Sequence, residues 1–271
     1  MTLSRPAVLL LLTCYAMVAV GPLLFMLINS FRPSADIFND PLGLPTEWYL
    51  GNYVEAWTEA RFATYFTNSV LVVVAGVVLC TIVSAMAAYP LARYDFRGNG
   101  VTTAYFIAGL TLPIELAVVP IFYLLGSLGM VDSRLGLVLV YAATGIPFSV
   151  FIMAAFFRGL PRDLEEAARL DGAGEFRIFA RIMLPLVKPA IATVSIFQFV
   201  QLWNDFFFPL VLLRSSDKYT LPVGLTNFFG EYQTDWGAVF AGLVITTAPL
   251  VILFLFLTRQ IVSGLAAGMG K

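Results

Sequence analysis

The sequence predicts an all-α polytopic membrane protein with six transmembrane helices, and two observations support that prediction. Hydrophobic residues make up 59% of the 271-residue chain and charged residues only 12%, about half the share of roughly 25% in soluble domains. The apolar residues also collect in runs of about 20 or more, the length that crosses a bilayer. A soluble protein would leave large apolar patches exposed, so we predict that lipid surrounds this chain.

We describe the chain as a single transmembrane domain over residues 1–271 and expect each span where charge is nearly absent. Only the third and fifth runs contain an acid, Glu115 and Asp205 respectively. The predicted spans are about residues 7–29, 66–90, 101–125, 135–157, 188–212 and 236–258.

The first span has to be distinguished from a signal peptide. Arg5 followed by an apolar run fits either interpretation. A signal peptide has an apolar region of about 7–15 residues and a small-residue cleavage site. This run is longer and no such site closes it, which favours an uncleaved first span.

Prolines within the later spans predict bent helices, which suit a cavity that opens alternately to each side. These prolines are Pro113, Pro120, Pro147 and Pro209.

The placement of lysine and arginine predicts the orientation, because cytoplasmic loops carry the excess of basic residues. An even number of spans puts both termini on the same side of the membrane. That side carries more basic residues here, so we expect both termini in the cytoplasm. That side holds Arg5, Arg93, Arg97, Arg158, Arg162, Arg169, Arg177, Arg181, Lys188, Arg259 and Lys271. The other side holds Arg32, Arg61, Arg134, Arg214 and Lys218, and its first long loop contains a predicted short surface helix at about 52–60.

Composition also excludes several chemistries. The net charge of −1 gives no basic patch for nucleic acid, and the chain contains no histidine, the commonest general base and neutral metal ligand. No G-x-x-x-x-G-K-[ST] phosphate loop is present. Cys14 and Cys80 lie in apolar runs without CxxC spacing, and we interpret both as small buried apolar residues.

The inner loop at 158–187 is the most informative polar segment. Asp163 followed by Glu166 resembles a capping box with aspartate in the serine role, so a short helix is expected to begin there. One face of that helix would carry Leu164, Ala167 and Ala168.

Gly172 follows this helix, where a left-handed cap is often needed. A second helix is expected from about 174 to 184, after which Pro185 and Pro189 redirect the chain into the fifth span. Small alanines beside charges would allow close approach of another protein and set its register.

The spacing in this loop resembles a known motif. Glu166-Ala-Ala, three residues, Gly172, nine residues and Ile182-x-Leu-Pro185 resemble the EAA motif in the membrane subunits of binding-protein-dependent ABC importers. Other segments resemble the carbohydrate-importing branch, and within it the second permease subunit of the maltose type. They are Asn68-Ser69, Ala88-Tyr-Pro-Leu-Ala-Arg93, Trp203-Asn-Asp205, Pro209-Leu210 and Ser263-Gly-Leu-Ala-Ala-Gly268.

This resemblance implies the type I ABC importer permease (MetI-like) core in a bacterial or archaeal cytoplasmic membrane. It implies a second, homologous permease subunit, two cytoplasmic ATPases and an extracytoplasmic solute-binding protein as partners, besides membrane lipid. ATP and magnesium would belong to the ATPases, so this chain would be non-catalytic and bind no cofactor. The residues implied as the ATPase-coupling segment are Glu166, Ala167, Ala168, Asp171, Gly172, Ala173, Phe179, Ile182, Leu184 and Pro185.

The solute path is predicted from polar residues inside the spans. A charge near the membrane centre costs about 2.5–3.5 kcal/mol on insertion scales, which marks intramembrane acids as functional candidates. Gln198, Gln201 and Asp205 share one helical face. The alternative is that such groups only hydrogen-bond neighbouring helices. The candidates are Glu115, Gln198, Gln201, Trp203, Asn204 and Asp205.

Two other function classes remain to be weighed. An ion-coupled secondary transporter would explain the spans and buried acids, but it needs no EAA loop, and the two halves show no clear inverted repeat. A membrane enzyme is disfavoured because histidine and metal-ligand clusters are missing from the sequence.

Overall fold

The computed structural model describes residues 5–59, 61–228 and 234–269. Every regular element in those ranges is a helix, which confirms the all-α prediction. In chain order the first elements are α1 (Arg5–Asn29), α2 (Ser34–Asn39), α3 (Gly51–Val54), α4 (Phe62–Arg93), α5 (Asn99–Thr111), α6 (Val118–Ser127) and α7 (Arg134–Arg158). The remaining ones are α8 (Asp163–Leu170), α9 (Glu175–Ile178), α10 (Leu184–Leu186), α11 (Lys188–Trp203), α12 (Phe207–Leu212), α13 (Leu221–Gly224) and α14 (Trp236–Met269).

Four segments are long and apolar enough to cross a bilayer as single helices. They are Val8–Asn29, Phe62–Arg93, Arg134–Arg158 and Trp236–Leu255, which overlap the first, second, fourth and sixth predicted spans. Pro147 lies within the unbroken α7. With two bent helix pairs added, the described residues contain up to 6 spans.

The third predicted span, 101–125, is broken next to Pro113, one of the prolines at which a bend was predicted. The chain breaks at Leu112, and α5 meets the segment Ile114–Ser127 at 95°. Leu112 has extended backbone (φ −85°, ψ 125°), as expected of a residue before proline, since the Pro113 ring disfavours the helical conformation there. A 3₁₀ turn at Ile114–Ala117 then leads into α6.

The fifth predicted span, 188–212, also differs from a single helix. Helix α11 ends at Trp203, and α12 begins only at Phe207. Before it, the segment Glu175–Leu186 meets α11 at 73°. The predicted redirection of the chain between Pro185 and Pro189 is therefore confirmed.

The helices fall into two compact units. The description of residues 1–271 as a single domain therefore stays a prediction. One unit comprises Met1–Phe66 and Thr220–Ile252. The loop after α1 folds back on itself, because the Asn52 side chain is buried and donates to the carbonyls of Ser30 and Arg32 at 2.9 Å. The helix expected at about 52–60 begins with α3 and continues as a π-helical turn at Glu55–Glu59. It is not purely a surface helix, since Ala56 is also buried.

The other unit comprises Thr67–Tyr219 and Leu253–Lys271. Helices α4, α7 and α11 build its core, where Met153, Phe157 and Val194 are fully buried. Cys80 is buried as predicted and lies 3.4 Å from the Ser149 hydroxyl. Cys14 on α1 of the first unit is exposed, contrary to our interpretation, because the most apolar stretch of α1 has no buried residue within the part of the chain that the structure describes.

Candidate functional site

Helix α8 carries the motif that sequence analysis singled out, and its C-terminal end is a glycine cap. Gly172 has φ +78°, which favours glycine because it has no Cβ. The Ala173 N–H donates to the Ala168 carbonyl at 2.9 Å, and the Gly172 N–H to the Arg169 carbonyl at 3.0 Å. These two bonds form a Schellman motif, so the predicted left-handed cap is confirmed.

The predicted capping box at the start of α8 is wrong. Arg162, not Asp163, is the N-cap residue, and no side chain caps the helix. The Arg162 carbonyl instead accepts the first backbone bonds, from Glu165 and Glu166. Asp163, Glu165 and Glu166 all lie in the first turn, where negative charge is favourable at the positive end of the helix dipole.

The buried side of α8 contains only one of the three residues that were predicted to share a face. Glu165 and Ala168 are buried, whereas Leu164 is 38% exposed and Ala167 is exposed. The side chain that decides this orientation is charged, which hydrophobic periodicity does not anticipate. Glu166 and Ala167 therefore face away from the protein.

Glu165 anchors α8 through a buried ion pair. Its carboxylate lies 2.7 Å from the Arg93 guanidinium, and the two side chains are 6% and 3% exposed. Tyr89 donates to the same carboxylate at 2.9 Å, and Arg93 donates to the Phe157 and Leu160 carbonyls at 3.3 and 2.8 Å. The pair thus joins the ends of α4 and α7 to the start of α8.

Sequence analysis missed Glu165 because the motif drew attention to its neighbour Glu166. A usable signal was present in Arg93, which closes an apolar span and therefore calls for an acidic partner when buried.

The second half of the coupling segment lies against the core. Ile178 and Met183 are fully buried, and the Phe179 ring lies 5.2 Å from Tyr89 and 6.5 Å from Phe157. A π-helical turn at Phe179–Met183 brings these side chains to the side of the segment that faces the core.

The sequence-predicted residues of this half fall into two groups. The resemblance implies that Phe179, Ile182, Leu184 and Pro185 hold the second helix against the membrane core. In the structure, Ala173, Phe179, Ile182 and Leu184 are partly buried against this core. Pro185 is exposed and does not hold the helix against the core. Asp171 and Gly172 are exposed.

A smaller polar cluster closes the turn between α8 and α9. Arg169 donates to Glu175 at 2.8 Å, and Tyr94 donates to the same carboxylate. The Arg169 and Glu175 side chains are 40% and 56% exposed, and exposed pairs contribute only about 0–1 kcal/mol. This cluster orients the turn but stabilises it little.

A polar cavity of about 270 Å³ lies among α7, α11, the break after α11 and the 3₁₀ turn before α6. Its lining residues come from three separate stretches of the chain, so no single sequence window contains them. They are Ile114, Glu115, Tyr141, Thr144, Gly145, Gln198, Gln201, Leu202, Asn204, Asp205 and Phe208.

The cavity brings together Glu115, Gln198, Gln201, Asn204 and Asp205. The helical-face argument holds only in part, because α11 ends at Trp203 and Asp205 lies beyond it. Asp205 instead accepts a hydrogen bond from the Phe207 N–H at 3.1 Å, at the start of α12.

Trp203, the sixth predicted residue, is not among the residues that line this cavity. It is 1% exposed and stacks on Phe199, with ring centroids 5.4 Å apart. Its position argues for packing rather than for solute contact.

Two buried oxygens at the cavity make no hydrogen bond of normal geometry to the described residues, although they lie close enough to interact with each other. They are the Tyr141 hydroxyl and Asp205 Oδ2. A buried polar atom without a partner is costly, so an arrangement of this kind is typical of a site that receives a ligand. Gln198, by contrast, donates to the Gly145 carbonyl at 3.3 Å.

Tyr141 and Thr144 are the cavity residues that sequence reasoning missed. They lie three positions apart on α7, one turn before Pro147, and so share a helical face. Neither is charged, which is why a search for intramembrane charges passed over them. A search for neighbouring hydroxyls in an otherwise apolar span would have found both.

Comparison with known proteins identifies the family. Residues 80–266 match the family model described as "Binding-protein-dependent transport system inner membrane component". The matched region includes both the coupling segment and the polar cavity.

Curated relatives cover nearly the whole chain. A diacetylchitobiose uptake system permease protein of Streptomyces coelicolor is 40% identical over 260 residues, 95% of this chain and 86% of the relative. An arabinooligosaccharides transport system permease protein of Halalkalibacterium halodurans is 38% identical over 257 residues, 93% of this chain and 91% of the relative.

A solved structure shows the same fold. A chain of a bacterial ABC transporter involved in the import of the acidic polysaccharide alginate superposes with a TM-score of 0.83 at 25% identity, covering 96% of this chain and 99% of that chain. Together with the family match, these similarities show that the chain belongs to the binding-protein-dependent transport system inner membrane components and is a multi-pass permease of the ABC importer class.

Proposed function

We propose that this permease moves a carbohydrate across the cytoplasmic membrane and is driven by partner ATPases that dock on the exposed side of α8 and the Gly172 turn. Support for the cargo comes from the relatives, whose names specify diacetylchitobiose and arabinooligosaccharides. Amides, hydroxyls and carboxylates line the cavity and offer both donors and acceptors to sugar hydroxyls.

The coupling proposal rests on the position of α8, which is exposed on one side and is bonded to the ends of α4 and α7 on the other. Glu166, Ala167, Asp171 and Gly172 are exposed, and Leu170 beside them is 89% exposed. On the opposite side, Glu165 binds the ends of α4 and α7 through Arg93. A force applied to the exposed side would thus reach both membrane helices.

The proposal includes the remaining partners that the family resemblance implies. They are two cytoplasmic ATPases that bind the ATP and magnesium, a second and homologous permease, and an extracytoplasmic solute-binding protein. In this arrangement the present chain is non-catalytic, and the side that carries α8 faces the cytoplasm with both termini.

Charge reversal on the exposed side of α8 tests the coupling. In Glu166→Arg we expect sugar uptake and transport-stimulated ATP hydrolysis to fall roughly tenfold or more, because a reversed charge at the centre of an interface is a large defect. Uptake and ATP hydrolysis are measured with the complete importer in proteoliposomes, after confirming that the variant still co-purifies with the second permease.

Asp95→Arg is the matched control, because Asp95 is an exposed acid in the loop after α4 and lies outside the motif. It should keep wild-type uptake. Normal uptake by Glu166→Arg would contradict the docking surface. If the wild-type chain co-purified with no ATPase in mild detergent, the coupling proposal itself would fail.

A further inference from the structure

We infer that the polar cavity selects by charge, accepting neutral and amino sugars and disfavouring uronic acids and other anionic sugars. This inference rests on the proposed function, since it names the class of carbohydrate that the same cavity would accept.

The first observation is the charge of the lining. Glu115 and Asp205 both face the cavity, and no lysine or arginine lies among the lining residues. Like charges repel, and water moderates the repulsion here because Glu115 is exposed. An anionic solute would meet two carboxylates without a compensating cation from this chain.

The second observation concerns the Tyr141 hydroxyl and the Asp205 carboxylate, whose hydrogen bonding in the cavity is incomplete. Tyr141 is 1% exposed, and its hydroxyl makes no hydrogen bond of normal geometry to the described residues. The same holds for Asp205 Oδ2, which lies close enough to Tyr141 to interact with it, while Oδ1 accepts from the Phe207 N–H. A carboxylate oxygen can only accept, so a ligand group that reaches Asp205 Oδ2 has to donate. Hydroxyls and ammonium groups can do so; a uronic acid also has hydroxyls, but its carboxylate can only accept and adds a like charge.

The remaining polar groups are compatible with this selection. Thr144, Gln201 and Asn204 also line the cavity, and each can donate or accept, so they place no requirement on charge. The preference therefore arises from Glu115 and Asp205.

The fold by itself does not impose this preference. A transporter that imports the acidic polysaccharide alginate shares the fold with a TM-score of 0.83. Any preference of the permease itself for cargo charge must therefore come from its lining residues, because function resides in sites and not in folds.

Direct sugar binding to the importer tests the inference. The complex of both permeases and the ATPases is purified in detergent without the solute-binding protein, so that selection by that protein does not contribute. Three disaccharides of similar size are titrated by calorimetry: diacetylchitobiose, its de-acetylated diamine in slightly acidic buffer, and a disaccharide of two uronic acids.

We expect the wild-type complex to bind the first two at millimolar concentration and the diuronate at least about tenfold more weakly. In Glu115→Gln/Asp205→Asn the diuronate should bind within about threefold of the neutral sugar, because both like charges are gone. Asparagine keeps an oxygen to accept from the Phe207 N–H, so α12 should still begin normally.

Asp217→Asn is the control, because Asp217 is exposed and its backbone carbonyl makes the contacts to Asn68 and Arg134. This variant should keep the wild-type ratio of affinities. Unchanged subunit composition and basal ATP hydrolysis verify that each variant is intact.

Equal binding of the neutral sugar and the diuronate by the wild-type complex would overturn the charge selection, as would an unchanged ratio in the double variant. Binding of none of the three sugars would overturn the cavity as a sugar site. Sugar uptake by the complete importer is measured in parallel, and its absence would count against the proposed function instead.

Discussion

The buried ion pair between Arg93 and Glu165 fixes the orientation of α8. Burying two charges is costly, and their attraction offsets that cost only when the remaining polar atoms are also bonded. Here the Tyr89 hydroxyl and the Phe157 and Leu160 carbonyls provide those bonds. Removal of one partner would leave an uncompensated buried charge.

We expect Glu165→Gln to lower the free energy of unfolding by about 3 kcal/mol, because breaking a buried pair on one side costs about 3–5 kcal/mol. Arg93→Met/Glu165→Leu should recover most of this loss, since apolar replacements of similar volume are often neutral. Denaturant unfolding of the purified complex measures both.

The exposed pair Arg169–Glu175 is the control for this cycle. Arg169→Gln should cost less than about 1 kcal/mol. A cost for Glu165→Gln no larger than that for Arg169→Gln would contradict the role of the buried pair.

A second residue, Asp132, ties together two loops in the same unit. It adopts φ +56°, and its carboxylate accepts bonds from the Arg214 and Ser215 N–H groups at 2.9 and 3.0 Å. Lys218 donates to the same carboxylate at 2.8 Å. Lys218, with the bonds from Ser215 and Arg214, holds the pKa of Asp132 well below its usual range.

Because this pKa is lowered on folding, its contribution to stability is present above the unfolded value of about 3.9 and is lost as the pH falls through the folded pKa. We therefore expect Asp132→Asn to lower the melting temperature near neutral pH, and the difference from wild type to shrink below about pH 4. Thermal unfolding across this range measures it.

Asp95→Asn, at an exposed side chain, should follow the wild-type curve throughout. A difference between wild type and Asp132→Asn that stays constant with pH would show that Asp132 acts through geometry alone.

At the scale of elements, close packing of α7 on α11 forms one wall of the cavity. A Cβ on Gly145 would lie 2.6 Å from Gln198 Oε1 and 2.8 Å from Cys80 Sγ, so glycine allows α7 to approach both neighbouring helices. The same approach brings the Gln198 amide to the Gly145 carbonyl.

We expect Gly145→Ala to destabilise the protein by about 1–3 kcal/mol, the usual cost of overpacking, and to reduce sugar uptake because Gln198 is displaced. Gly126→Ala in α6 is the matched control, since its nearest contact would be Val131 at 3.9 Å. That change should be neutral or slightly stabilising, because alanine is the better helix former. Equal effects of the two substitutions on the melting temperature would contradict the packing argument.

At the scale of the whole molecule, the orientation in the membrane remains a prediction from basic residues. Single cysteines introduced by Asp95→Cys and Asp217→Cys, in a Cys14→Ser/Cys80→Ala background, test it in intact cells with an impermeant thiol reagent. Because these positions are predicted on opposite sides of the membrane, only Asp217→Cys should react before permeabilisation. Reaction of Asp95→Cys under the same conditions would show that the chain has the opposite orientation in the membrane.

Sequence alone determined the class of this protein, because the properties involved are local and additive. The apolar runs predicted the helices, the charge pattern marked the polar loop at 158–187, and the spacing from Glu166 to Pro185 indicated the family, which the comparisons show. The glycine cap at Gly172 was also predictable, since it depends on a few consecutive residues.

Tertiary structure decided which side chains meet. The pairing of Glu165 with Arg93 joins residues 72 positions apart, and the cavity joins Glu115, Tyr141 and Asp205 from separate segments. On α8 the structure buries Glu165 and leaves Leu164 and Ala167 exposed, and it packs Trp203, predicted in the solute path, against Phe199. Local patterns report which segments prefer to be helical or buried, but the partners of a buried charge or an unpaired hydroxyl depend on how distant helices pack in three dimensions.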